Sequence, residues 1–207
     1  MEPQSTRIPS GRSQMLRSQE TRARVIEAAV ACIAEEGFHA ANLARIADRA
    51  GVTTGAIQHQ FGEKAALLAA AVERGFERMA DAVARVPARS LALEERVAAF
   101  VRGLWDGYDA DHTRAGFEIL LALRSDAAFR DRTLGFLAGL RERLDRLWMG
   151  TFWDADILRA RHVEAQRLIF TTLNGLALER ILLPEMPDPQ ADLERLARGV
   201  LEIMKEE

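Results

Sequence analysis

Several things are scarce in this sequence, and each scarcity closes off a class of explanation. Cys32 is its only cysteine, so there is no disulfide framework and no cysteine-based metal cluster. On an alanine-rich helix, Cys32 reads as a small buried apolar residue rather than a redox sensor. No apolar run approaches the roughly 18 residues of a membrane span. The polar residues 1–18 hold no hydrophobic stretch of the kind that makes a secretory signal. A cytoplasmic protein with no membrane partner is expected. Zinc-ligand spacing, a Ser-His-Asp order and a phosphate-binding glycine loop are all missing, so neither cofactor nor metal nor catalysis is anticipated. A net charge of −3 rules out a surface coated in positive charge, yet it leaves room for a local basic site.

What is present is helix. Strict alternation of β-branched and aromatic residues is rare. Apolar residues instead recur every three or four positions in an Ala-, Leu- and Arg-rich background. The pattern predicts an all-α fold of about nine helices. Residues 1–18, with Pro3, Pro9 and Gly11, read as a disordered arm. Over residues 1–24, Arg7, Arg12, Arg17, Arg22 and Arg24 outnumber Glu2 and Glu20, so the arm suits either a DNA backbone or solvent. Residues 19–66 read as a small helical domain, with helices at 21–36, 43–50 and 54–61. Residues 67–207 form a second domain, continuing a long helix over 63–85. After a linker at 87–90 come helices near 93–108, 113–124, 129–149, 156–182 and 191–204. Pro184, Pro187 and Pro189 fall in the last loop, where they interrupt nothing.

The stretch at 43–61 reads LARIADRAGVTTGAIQHQF. Leu43, Ile46, Ala47 and Ala50 give one helix a buried face, and Val52, Ile57 and Phe61 do so for the next. A short joint at Gly51 lets the pair cross steeply, as a helix-turn-helix does. Asn42 and Thr53 are placed to cap the two helices. Thr54, Gln58, His59 and Gln60 are uncharged hydrogen-bonding groups suited to base edges and phosphate oxygens. His59 lacks metal-ligand spacing, which favours a DNA contact.

These residues resemble the DNA-binding domain of the TetR family of repressors. Gly37-Phe38, the run Ile46-Ala47-Asp48-Arg49-Ala50-Gly51-Val52-Thr53-Thr54-Gly55 and Phe61-Gly62-Glu63-Lys64 fall at that family's spacing. The resemblance covers residues 21–68. It departs at Asn42, where members usually have Thr, and at Gln58, where many have Tyr. It implies that Asn42, Thr53, Thr54, Gly55, Gln58, His59 and Gln60 face double-stranded operator DNA. Gly55 would allow close backbone approach. Lys64 stands in the first turn of a helix, unfavourable for a cation, and phosphate contact would account for it. Arg45 suits either the flanking backbone or a solvated face.

The resemblance also implies a C-terminal half that forms a homodimer and takes a small-molecule effector. Leu168, Thr171 and Gly175 on one helix, and Leu193, Leu196 and Val200 on the last, are the expected dimer contacts. The candidate ligand set is Trp105, Tyr108, Phe117, Glu118, Leu121, Phe170 and Asn174, mostly apolar with a few orienting polar groups. The leading expectation is a repressor released by a small, largely apolar ligand. The alternatives are a ligand-independent regulator and an all-α enzyme or carrier.

Overall fold

The computed structural model of the chain describes residues 11–86, 90–108, 110–152, 159–183 and 185–205. Among the described residues there are nine helices and no strand. They are α1 Gly11–Glu36, α2 Leu43–Ala50, α3 Thr54–Phe61, α4 Lys64–Ala84, α5 Leu93–Asp106, α6 Ala110–Ala122, α7 Ala127–Thr151, α8 Arg159–Leu182 and α9 Gln190–Lys205. No helix is long and apolar enough to cross a membrane among the described residues.

Helix α1 corrects the sequence reading. Residues 11–18, expected as part of a disordered arm, form its first two turns. No proline or glycine stands between Arg12 and Glu36, and Gln, Met, Leu and Arg favour helix. Helix propagation costs little once the later turns are packed, so the exposed segment carries on a helix nucleated behind it. Residues 1–10 and the linker residues 87–89 lie outside the described residues.

Two apolar clusters organise the chain. The first joins Val25, Ala29 and Ile33 of α1 to Ile46, Ala47, Ile57, Leu67 and Leu68, and takes Ala115, Ile119 and Phe129 from later helices. The second gathers Met79, Val83, Phe100, Leu104, Trp148, Phe152, Ile169, Leu173, Leu196 and Val200. Helix α4, 21 residues long, extends about 30 Å, enough to serve both. Its first half lies in one cluster, its second half in the other, and Phe76 touches both.

The last helix departs from expectation. Leu193, Leu196 and Val200 are buried inside the subunit, where α9 packs on α5 and α8. Their partners are the apolar residues that α5 offers every third or fourth position, Val97, Phe100, Val101 and Leu104. What α9 leaves exposed is mostly charged, including Glu194, Arg195, Arg198 and Glu202. On α8, by contrast, Leu168 is half-buried while Thr171 and Gly175 are open, alongside exposed Val163, Leu178 and Leu182.

Candidate functional site

Local sequence alone builds the α2–α3 unit. Asn42 is extended, and its Oδ1 accepts hydrogen bonds from the amides of Ala44 and Arg45 at 3.0 and 3.1 Å, satisfying donors that a helix start otherwise leaves open. Gly51 closes α2 with φ of 64°, a left-handed conformation that costs glycine nothing. Its amide donates to Asp48 and that of Val52 to Ala47, the paired bonds of a Schellman ending. Thr53 then caps α3, its Oγ1 accepting from Ala56 N at 3.1 Å. Ile46, Ala47, Ala50 and Ile57 are buried and press the pair against α1.

This construction leaves Thr53, Thr54, Gly55, Gln58 and His59 exposed together. A Cβ added at Gly55 would meet only Thr53 Oγ1 at 3.8 Å, an ordinary contact, so nothing inside the chain demands glycine there. Gln60 is different. It is half-buried and its Nε2 donates to Ser18 Oγ at 2.9 Å, turning it towards α1 because Ser18 belongs to the unexpected first turns of that helix. The Gln60 carbonyl accepts from Arg22 at 3.3 Å, and the Arg22 guanidinium lies 4.3 Å from the Phe61 ring centroid. Arg22 therefore holds the C-terminal end of α3. In the sequence it was one arginine of a basic tail, and the only hint was that α3 has no Lys or Arg in its own last turn.

The cations around α3 are committed within the chain. Lys64 Nζ donates to the Ala41 carbonyl at 2.8 Å and lies 5.4 Å from the Phe38 ring centroid. A bond to the α1–α2 turn thus accounts within the chain for a lysine at this helix start. Arg45 pairs with Glu36 at 2.5 Å, the solvated reading of that residue. Arg49 grips Glu35 with two bonds of 2.6 Å, and this hydrogen bonding holds the Glu35 carboxyl below the usual carboxylate range.

A second feature lies in the other half. A cavity of about 160 Å³ opens between α4, α6 and α8, walled by Val72, Phe76, Met79, Phe117 and Leu120. Tyr108, His112, Thr113 and Asn174 are its polar edge. Tyr108 is buried and its hydroxyl donates to Asn174 Oδ1 at 2.9 Å; burial pushes the phenol well above its ordinary pKa.

Of the expected ligand set, Tyr108, Phe117 and Asn174 line this space. Trp105 instead faces a more polar hollow beside it, with Arg114 and Arg180, and the Arg180 guanidinium lies 5.9 Å from its ring. Glu118 and Leu121 are on the wrong side of α6. Leu121 is 59% exposed, and Glu118 accepts from Phe38 N at 2.7 Å. Neighbouring helix positions stand about 100° apart, so Leu120 reaches the cavity and Leu121 does not. Phe170 packs into the second core. Phe76, Met79 and His112 went unpredicted. They are ordinary core residues by spacing, and only the α4–α6 approach makes them a wall.

The outer side of α6 meets α1. His112 Nε2 lies 3.1 Å from Glu27 Oε2, Arg114 donates to the Ala34 carbonyl at 3.2 Å, and Glu118 holds Phe38. One helix thus borders both the cavity and the support of the α2–α3 unit.

Comparison with known proteins places this architecture. Residues 25–71 match the family described as bacterial regulatory proteins, tetR family. Across 201 residues the chain is 26% identical to the HTH-type transcriptional regulator CymR of Pseudomonas putida, covering 96% of each chain. It is 25% identical over 182 residues to the fatty acid metabolism regulator protein of Bacillus subtilis, covering 87% of this chain and 92% of that one. The fold is that of a crystallised transcriptional regulator from Rhodococcus sp. Rha1, with a TM-score of 0.69 at 21% identity over 87% of this chain and 96% of the other. The capped helix-turn-helix thus lies inside the stretch that matches the tetR family, in a chain similar over most of its length to transcriptional regulators.

Proposed function

We propose that the protein is a homodimeric repressor that leaves its operator when a small, largely apolar ligand fills the cavity bordered by Tyr108, Phe117 and Asn174. Residues 19–66 read DNA; residues 67–207 dimerise and take the ligand. The observation that carries this reading is the exposed face of α3, where Thr54, Gly55, Gln58 and His59 stand uncharged and fixed in place by caps at Asn42 and Thr53. Side chains of that kind choose between bases, and a bare glycine admits a sugar-phosphate wall. Gln60 and Lys64 support the unit from within.

A homodimer supplies two such faces for successive major grooves, roughly 34–36 Å apart. The open face of α8, with Thr171, Gly175 and exposed Leu178 and Leu182, suits a symmetric contact in which small residues let helices approach. The buried stripe of α9 supports that face from behind. The cavity favours a ligand-responsive regulator over a ligand-independent one. At about 160 Å³ it is close to an engineered apolar cavity of ~150 Å³ that admits benzene, so a one-ring ligand fits. The matched relatives are regulators, which favours regulation over catalysis, and a protein that works on chromosomal DNA would act in the cytoplasm.

Footprinting on the DNA upstream of its own gene tests this reading. Protection of two half-sites one helical turn apart is expected. Turnover of small molecules without any protected DNA would replace it with the enzyme or carrier alternative.

A further inference from the structure

We propose that His112 is the positioning residue through which the cavity and the DNA-reading unit are coupled, by way of Glu27 on α1. The inference rests on the reading of the cavity as the effector site and goes further by naming the link. Three polar α6 side chains reach α1 or the turn after it, but they are not equivalent. Arg114 and Glu118 bond the backbone of residues 34 and 38 and stand outside the apolar cavity. His112 alone of the three lines that cavity and meets a side chain of α1, with Nε2 3.1 Å from Glu27 Oε2.

The surroundings make this contact adjustable. His112 is only 8% exposed, so its imidazole must have polar company. It packs beside α4, where a Cβ at Gly75 would come 3.6 Å from the His112 Cβ. Glu27 is half-exposed and also meets a cation, with Arg74 Nε at 3.7 Å from its other oxygen. Glu27 therefore stays paired when the imidazole turns away, whereas breaking the bonds of Arg114 or Glu118 would strand backbone groups. A molecule in the cavity presses on His112 or draws it by a hydrogen bond. Either way α1 loses one of its holds on α6, and α1 carries α2 and α3 on its buried face. Interfaces of packed helices switch between discrete arrangements rather than bending continuously, so a small displacement here is enough.

The test uses a substitution in place of an unidentified ligand. Gly116 lines the cavity, and a Cβ there would meet nothing within 4 Å, so Gly116→Phe fills the space in the full-length chain. Thr113→Leu is a milder filler should the first variant fail to fold, as judged by melting and by its dimer mass. Operator affinity is measured on the footprinted upstream duplex for the filled and unfilled chain, in the wild-type, His112→Ala and Glu27→Gln backgrounds. Filling is expected to change affinity at least fivefold in the wild-type background, within the range of about 5–150-fold typical of coupled sites. In the other two backgrounds the ratio should fall to within about twofold of one. A side chain with a merely structural role would lower the melting temperature and shift both affinities together, leaving the ratio intact. A large ratio that persists in both variant backgrounds overturns the link through His112 while sparing the cavity as effector site. A ratio of one in the wild-type background, with folded dimeric variants, removes the effector-site reading itself and the inference with it.

Discussion

Helices α3 and α6 both carry polar side chains on a partly apolar cylinder, and they spend them in opposite ways. On α3 the outward set, Thr54, Gln58 and His59, is exposed, and the helix is held by the cap at Thr53 and by Ile57 beneath. On α6, His112, Arg114 and Glu118 reach across to α1 and the turn that follows it, and the bonds of Arg114 and Glu118 span 80 residues of sequence each. A helix held at its ends and from beneath can leave its polar face open for a partner outside the chain. A helix fixed by distant partners turns that face inward and becomes a joint. The contrast implies that damage to α6 is felt as stability, and damage to the face of α3 as affinity.

The largest effect should come from the buried side of α6. Ile119 is fully buried in the cluster that supports α1 and α2. Ile119→Ala should destabilise the chain by about 2–5 kcal/mol, the cost of deleting such a side chain and leaving a cavity. Denaturant unfolding read by circular dichroism measures it. A loss under about 1 kcal/mol would mean that α6 is not part of the first core, and the contrast would fail on that side.

Next comes the face of α3. His59→Ala and Gln58→Ala should each weaken operator binding by about 1–3 kcal/mol, the scale of a good base contact, while stability stays within about 0.5 kcal/mol, as for other surface changes. Titration of the footprinted duplex beside a melting curve reads both. If either variant unfolds early, or if both bind normally, the open face of α3 is not the reading surface.

Smaller again is the effect of capping α2. Asn42→Ala removes the acceptor for two amides and should cost about 1 kcal/mol; Asn42→Ser, which restores a side-chain oxygen, should recover most of it. No loss in the alanine variant would show that the steep α2–α3 crossing is held from elsewhere.

How far each region could be read from sequence follows the same division. The caps at Asn42 and Thr53, the turn at Gly51 and the exposure of Gln58 and His59 all depend on residues within one or two turns, and periodicity reveals them. The intrachain bonds of Lys64 and Gln60 were not legible, for the opposite reason. Their partners, Ala41 and Ser18, are 23 and 42 residues away, and a side chain committed at that distance looks free in the sequence. The cavity shows the limit most clearly. Tyr108 and Asn174 are suspicious as polar groups on apolar helices and do sit together, whereas Leu120 and Leu121 are indistinguishable until the rotation of α6 is known. The stripe on α9 was legible as a stripe, but whether it faces α5 or a second subunit is a question of tertiary placement.

The smallest effect concerns a single proton, and it probes the inward-turned region directly. Tyr108 is the chain's only tyrosine, so tyrosinate absorbance reports on the cavity edge alone. Burial disfavours the charged phenolate and raises its pKa above the ordinary value of 10. The folded chain should show no tyrosinate as pH passes 10, and the same chain in denaturant should titrate near 10. Since the folded value is the higher one, the associated stability is complete below pH 10. It is lost as pH rises further, because the unfolded phenol gives up its proton first. Asn174→Ala removes the acceptor at 2.9 Å but leaves the ring buried, so the displaced titration should survive in that variant. A return to 10 there would make the hydrogen bond the cause in place of burial. An ordinary titration in the native chain would mean that water reaches Tyr108 freely, contrary to its burial.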